Sequence, residues 1–194
     1  MDKKTLRKQE IIEKSISRMF EYGYHGTSVK DIADAAGIPK GSVYNYFENK
    51  EDYVVEALKY YGQQAEPLMS NLTNTSLGPI ERIERFYTLA IQGHIEYQTY
   101  SLGCFTGKMA QELCGINAGI RGLVEDLHDK VAGKIASNIE EAISLGLLET
   151  KMPAKELADF IHSSWHGTLL RVKSTQDKET LNNFYNIVFK VLLK

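Results

Sequence analysis

Thr27-Ser-Val-Lys-Asp-Ile-Ala-Asp-Ala-Ala-Gly-Ile-Pro-Lys-Gly-Ser-Val-Tyr-Asn-Tyr-Phe-Glu-Asn-Lys50 is the stretch whose reading decides the fold. Thr27-Ser28 followed by Asp31 is a helix start. A hydroxyl accepts from free amides there, and the carboxylate suits the positive end of the helix. The helix Val29–Ala36 is short and ends at Gly37, a natural residue for the left-handed position after a helix. Pro39 sits where the next helix begins, because its missing N–H costs least there. That helix is predicted over about Lys40–Phe47. Two short helices joined across Gly37-Ile38-Pro39 make a helix-turn-helix. Asn49 then caps a longer helix from Lys50 past Tyr61.

Helical periodicity extends in both directions. Upstream, Ile11, Ile12, Ile16, Met19 and Phe20 share one face of a helix that Gly23 and Gly26 stop. Downstream, 66–79 reads as a connector rich in Pro, Asn, Ser and Gly. Helices are then predicted over about 80–100, 104–114, 115–145, 154–172 and 178–193. The fold class is all-α, with no strand-period stretch, repeat or low-complexity tract. On 154–172, Leu157, Ile161, Trp165, Thr168 and Val172 make one apolar stripe, and Phe160, Leu169 and Leu170 a second. On the final helix Leu181, Phe184, Val188 and Val191 make one, and Tyr185, Phe189 and Leu192 another. Helices apolar on two faces need partners on two sides, and a second subunit is the expected partner.

The 194 residues suit one domain of ordinary size or a small module fused to a larger one, and 43% apolar against 25% charged is a globular composition. Two cysteines are too few for a disulfide scaffold. The start DKKTLRKQE has no signal-peptide core, and the most apolar run, 187–193, is interrupted by Lys190. A soluble cytoplasmic protein with no membrane partner is expected. The net charge is −2, but residues 1–50 carry nine Lys/Arg against seven Asp/Glu. That mild asymmetry permits a nucleic-acid-binding module at the N-terminus.

The quoted stretch, with Phe20-Glu-Tyr-Gly-Tyr before it, resembles the TetR family of bacterial transcriptional regulators over about residues 8–55. The resemblance implies an all-α homodimer: an N-terminal three-helix helix-turn-helix domain, residues 1–50, and a C-terminal helical domain, residues 51–194, for effector binding and dimerisation. It implies double-stranded DNA as a partner, in the form of a palindromic operator. By similarity to the family, Lys30, Ser42, Tyr44 and Asn45 face the major groove, while Thr27, Tyr46 and Lys50 hold phosphates. Val43 and Phe47 would point into a small core with Phe20, Val29 and Ile32.

A second resemblance lies in Gly103-Cys-Phe-Thr-Gly-Lys-Met-Ala-Gln-Glu-Leu-Cys-Gly and Trp165-His-Gly-Thr-Leu-Leu-Arg-Val-Lys173. It points to a subgroup containing a repressor responsive to N-ethylmaleimide and other electrophiles. Cys104 follows Gly103 at a helix start, where free amides favour the thiolate, with Lys108 one turn on and Lys173 near if the helices pack. The thiol is then either a sensor or a small buried hydrophobe. Cys114, about 15 Å further along a straight helix, is out of disulfide reach and reads as core.

A cavity for a small organic effector would be lined by Phe86, Tyr87, Tyr97, Tyr100, Phe105, Met109, Trp165 and Leu169, with Gln111, Asn117 and His166 as polar points. His162 and His166 have metal-ligand spacing, but His94 is the only candidate third ligand, and no metal or other cofactor is expected. No P-loop, dinucleotide turn, nucleophile elbow or HExxH occurs, so an enzyme is not expected. The expected function is a repressor released from its operator by a small organic effector or electrophile. The alternative is a helix-turn-helix protein with no effector, acting through DNA architecture or protein partners.

Overall fold

The structure, a computed structural model, describes residues 2–96 and 103–194, and all its regular elements there are helical. They are α1 (Lys3–Tyr22), α2 (Val29–Ala36), α3 (Lys40–Val43), α4 (Lys50–Gln64) and α5 (Glu66–Met69) with a 3₁₀ turn (Ser70–Thr73). Then follow α6 (Pro79–Glu96), α7 (Phe105–Leu113), α8 (Ala118–Ser144), α9 (Ala154–Thr175) and α10 (Glu179–Ile187), which ends in a π-turn (Val188–Leu192). No helix among the described residues is long and apolar enough to cross a membrane.

The caps are those the residue types dictate. Asp2 accepts from the Thr5 amide at the start of α1. Ser28 and Asp31 form a reciprocal capping box, and the Ser28 hydrogen bonds hold the Asp31 carboxyl below its usual range. Gly37 closes α2 in the left-handed region. Asn49 Oδ1 accepts from the Asp52 amide at 2.8 Å and opens α4. The helix predicted to reach Phe47 is shorter: α3 is a single turn, and Tyr44–Tyr46 continue it as turns with i→i+3 bonds. Tightening to i→i+3 is common at helix ends.

The chain divides into two compact units, Met1–Gln64 with Phe105–Glu125, and Ala65–Cys104 with Asp126–Lys194. This division differs from a boundary at residue 50, because α4 and α7 go with the N-terminal helices. In the first unit Ile11, Ile12, Met19, Ile32, Val43, Phe47, Tyr53, Leu58, Phe105 and Met109 are buried. The Tyr53 hydroxyl meets the Ser15 hydroxyl at 2.8 Å, and Ser15 donates to Ile11 O. Both polar groups are thereby satisfied in the core.

In the second unit the core runs from Met69 and Leu72 through Phe86, Tyr87, Ile139, Ile161 and Trp165 to Phe184 and Val188. Arg82 donates to the carbonyls of Asn74 and Leu77, to Asn138, and to Glu141 at 2.5 Å, so one guanidinium ties the connector to α8. The predicted stripe on the last helix does not hold throughout. Val188 is buried, but Val191 is 70% exposed. The reason is the π-turn: Leu193 N–H bonds Val188 O, an i→i+5 step, and places buried Leu193 beneath Val188 while Val191 turns outward. On α9, Phe160 and Leu170 are likewise exposed.

Gly23 closes α1 at φ 78° and ψ 179°, a conformation essentially reserved for glycine. A methyl there would also meet Glu112 Oε1 at 2.2 Å. Gly23→Ala is expected to lower the stability of the protein by about 1–3 kcal/mol. In a denaturant titration, Glu112→Ala should relieve the steric part of that loss and leave the backbone part. Equal losses in both backgrounds would show that the Glu112 contact carries nothing.

Candidate functional site

The helix-turn-helix side chains fall into two groups. Lys30, Tyr44 and Asn45 are exposed, and Ser42 and Tyr46 are half-buried. Tyr44 at 51% exposure is no part of the core. These five present polar atoms outward and suit contacts with base edges and phosphates.

Thr27 and Lys50 do something else. Thr27 is buried, and its hydroxyl donates to Gly23 O at 2.7 Å. Lys50 Nζ donates to Tyr24 O at 2.8 Å and Thr27 O at 3.0 Å, and lies 3.9 Å from the centre of the Tyr24 ring. These bonds give the pair a role inside the protein besides the phosphate-holding one expected for it. Both side chains brace the turn between α1 and α2, because its carbonyls have no helical partner and need donors. The Tyr24 hydroxyl donates to Glu51, and burial followed by that carboxylate pushes its pKa up to about 12.

The composition reading overlooked a further group. Lys3, Lys4, Leu6, Arg7 and Glu10 on α1 line an open groove of about 840 Å³ with Asn45 and Tyr46. Arg7 pairs with Glu10 at 2.5 Å and lines the groove beside Tyr46. The signal was present in the opening DKKTLRKQE, whose basic residues recur on one helix face beside the recognition segment.

The residues expected around an effector separate as well. Phe105 is fully buried in the first unit, with Phe20 at 5.3 Å and Tyr61 at 5.6 Å between ring centres, and Met109 is buried there too. Lys108 Nζ donates to Phe20 O and Glu21 O, both at 2.8 Å, at the C-terminal end of α1. Glu112 accepts from the His25 amide at 2.9 Å. Phe105 and Lys108 thus join α7 to α1. Asn117 caps α8 by accepting from the Ile120 amide. Tyr97 and Tyr100 lie outside the described residues.

In the second unit Phe86, Tyr87, Trp165 and Phe184 form an aromatic cluster centred on Tyr87, with ring centres 4.9–5.6 Å apart. His94 lies 5.7 Å from the Trp165 ring. Beside Tyr87 stand three imidazoles, of which His128 went unnoticed in the sequence. Its ring centre is 4.4 Å from that of His166, and His162 is 4.7 Å from His166. So His128 rather than His94 joins the pair on α9. Burial holds all three pKa values far down, with the neighbouring imidazoles adding to the effect on His128 and His162. Among the described residues no group of three His, Cys, Asp or Glu side chains is arranged to hold a metal ion.

Neither Cys104 nor Cys114 is in a disulfide, and each is half-buried. Cys104 immediately precedes α7 and packs against the second unit's core. Lys173 lies beside Gly103, where a methyl would meet its Cδ at 3.5 Å. Burial pushes the Cys114 thiol up.

A capped helix-turn-helix with exposed polar side chains on its second helix, braced by a basic helix, defines a DNA-binding protein. Residues 11–57 match the family of bacterial regulatory proteins, tetR family, and 79–188 match the tetracyclin repressor-like C-terminal domain. The chain is 30% identical to the HTH-type transcriptional repressor DhaR of Mycobacterium sp. (strain GP1), over 96% of this chain and 92% of that protein. It is 26% identical to the repressor NemR of Escherichia coli (strain K12), over 83% and 81%. A solved structure of regulatory protein TetR from Rhodobacter sphaeroides superposes with a TM-score of 0.83 at 27% identity, covering 93% of this chain and 95% of that one. The chain belongs to the TetR family: it is a DNA-binding transcriptional regulator and not an enzyme.

The two groups of basic residues should respond differently to substitution. Lys50→Met should cost about 1–3 kcal/mol of stability through loss of charge-assisted bonds, with the salt dependence of DNA binding unchanged. Lys3→Gln with Lys4→Gln should leave stability alone and flatten the slope of log K against log salt by about 0.9 for each phosphate contact removed. Fluorescence anisotropy at several salt concentrations, beside thermal melts, checks both.

Proposed function

We propose that the protein is a homodimeric repressor that leaves a palindromic operator when a small organic effector occupies its second unit. It would act in the cytoplasm, where the DNA is. One observation carries the reading. The chain passes from the second unit to the first between Cys104 and Phe105, and α7, which starts there, is fastened to the end of α1 by Lys108 and Glu112. A shift of 103–104 therefore pulls on the helix that leads into the helix-turn-helix. The effector achieves release only by binding the non-operator state more tightly. Lys30, Ser42, Tyr44 and Asn45 serve as base-reading side chains in this scheme, and Tyr46 as a phosphate donor.

A covalent version of the same reading has its own support. Cys104 is the residue at which the chain changes units, with Lys173 beside it. A solved structure of NemR from E. coli, described as its reduced form, shares the fold with a TM-score of 0.81. An adduct on Cys104 would add volume to a packed core that does not absorb it without moving.

Dimerisation is supported by an exposed face on α9, where Phe160, Ser163, Gly167 and Leu170 recur at helical spacing, and by Ile187 and Val191 near the C-terminus. Small residues flanked by large apolar ones allow close approach of a second copy.

The release experiment uses operator DNA and mass spectrometry. Lys108→Met with Glu112→Gln should retain operator binding and lose at least tenfold in effector-driven release. Cys104→Ser should lose release by alkylating agents alone, and Cys114→Ser should behave as wild type. Unchanged release in the α7 variant would end the proposed route, and no release by any compound would favour a regulator without an effector. Separately, Phe160→Glu with Val191→Glu should give folded monomers in sedimentation. The buried Val188 is unsuitable for that test, because a charge there would break the core.

A further inference from the structure

Tyr87, His162 and His166 form a chain whose proton positions can be worked out. The Tyr87 hydroxyl and His162 Nδ1 are 3.4 Å apart, and His162 Nε2 and His166 Nε2 are 3.2 Å apart. His166 Nδ1 is buried and has no hydrogen-bond partner. Tyr87 is fully buried, its pKa is pushed far up by burial, and it keeps its proton. If it donates to His162 Nδ1, neutral His162 carries its proton on Nε2 and donates to His166 Nε2. Neutral His166 then carries its proton on Nδ1. The opposite direction leaves two groups unsatisfied, the tyrosine proton and the Nδ1 lone pair. The first direction leaves one, a buried N–H donor. Such a group costs free energy until an acceptor meets it.

The surroundings say which acceptor. The chain joins Tyr87 of α6 to the two α9 histidines, His128 of α8 packs against both of these, and His94 of α6 lies on the Trp165 ring. Among the described residues Asp129 pulls on His128, more weakly than burial and His166 push, and no carboxylate is seen to act on His162 or His166. Three bases thus lie together with little acid to match them. We infer that this cluster is the polar end of the effector site and that the effector is a small organic acid, its carboxylate accepting from His166 Nδ1–H. This rests on the reading that the second unit responds to an effector. The carboxylate brings a negative charge into a buried site, so an imidazole takes one proton from solvent as the acid binds. Tyr87 and His162 act as positioning residues, since they fix the proton on the side that faces the ligand.

The sign of the pH dependence follows. With no ligand the three histidines stay neutral down to about pH 4 or below. With a carboxylate bound, one of them titrates higher. Between those two pKa values affinity falls tenfold for each unit that pH rises. Calorimetry on the full chain, with sodium propionate, butyrate and benzoate against the corresponding amides, tests this in buffers of different ionisation enthalpy. The acids should bind with uptake of close to one proton at pH 7, and the amides should bind at least tenfold more weakly with none. His166→Phe should abolish the uptake, and if it does not fold, His166→Asn serves. Tyr87→Phe should reduce affinity for the acids while leaving that for the amides unchanged. Amides binding as well as acids, acids binding without proton uptake, or no binding of acids at millimolar concentration would each overturn the inference. Binding that needs added zinc or nickel would do the same. Operator release by neutral compounds alone would sink the acid site and keep the effector reading. Acid binding without operator release would do the reverse.

Discussion

The end of α1 is where the first unit is held together. A helix leaves its last carbonyls without partners, and here cations far away in sequence supply them. Lys108 takes the carbonyls of Phe20 and Glu21, and Lys50 takes those of Tyr24 and Thr27. Glu112 receives the His25 amide in the same turn. Each is a charge-assisted hydrogen bond, stronger than a neutral one. The Lys50 bonds lie in the turn from which α2 leaves α1, while those of Lys108 and Glu112 tie that end of α1 to α7.

That constraint explains what was legible in the sequence and what was not. Caps are local, so Ser28, Asp31, Gly37 and Asn49 announced α2 and α4 from residue types alone. Apolar spacing announced the long helices for the same reason. The bracing bonds of Lys50 and Thr27 were not legible, because nothing local reveals that the turn carbonyls fall within reach of Lys50. The contacts of Phe105 and Lys108 with α1 were not legible, because α7 follows a segment of the second unit in sequence while packing in the first. Val191 was misplaced because a π-turn adds a step that a regular period does not contain. His128 was missed because its partners are on another helix, and a single histidine on α8 carries no spacing signal.

The second unit works from the opposite chemistry. The first unit pairs its buried polar groups, as Ser15 and Tyr53 show. The second pairs all of its imidazole chain but the last nitrogen. Native interiors leave few such groups unpaired, and when they do, the vacancy is informative about what the site receives. The aromatic cluster around Tyr87 gives that nitrogen a stiff apolar setting, in which a hydrogen bond is stronger than in water.

The interleaving of the two units also bears on how the molecule is made. The first unit takes in residues 1–64 and returns for 105–125. During synthesis the helix-turn-helix segment emerges early, but Lys108, Glu112 and Phe105 do not yet exist. At ribosomal rates of about 5–20 residues per second, the carbonyls at the end of α1 wait roughly 4–18 s for them. Through that interval the nascent chain holds a recognition segment without its α7 brace, and residues 65–104 of the second unit are made first. No truncated product ending near residue 100 would therefore carry a fully braced DNA-binding unit.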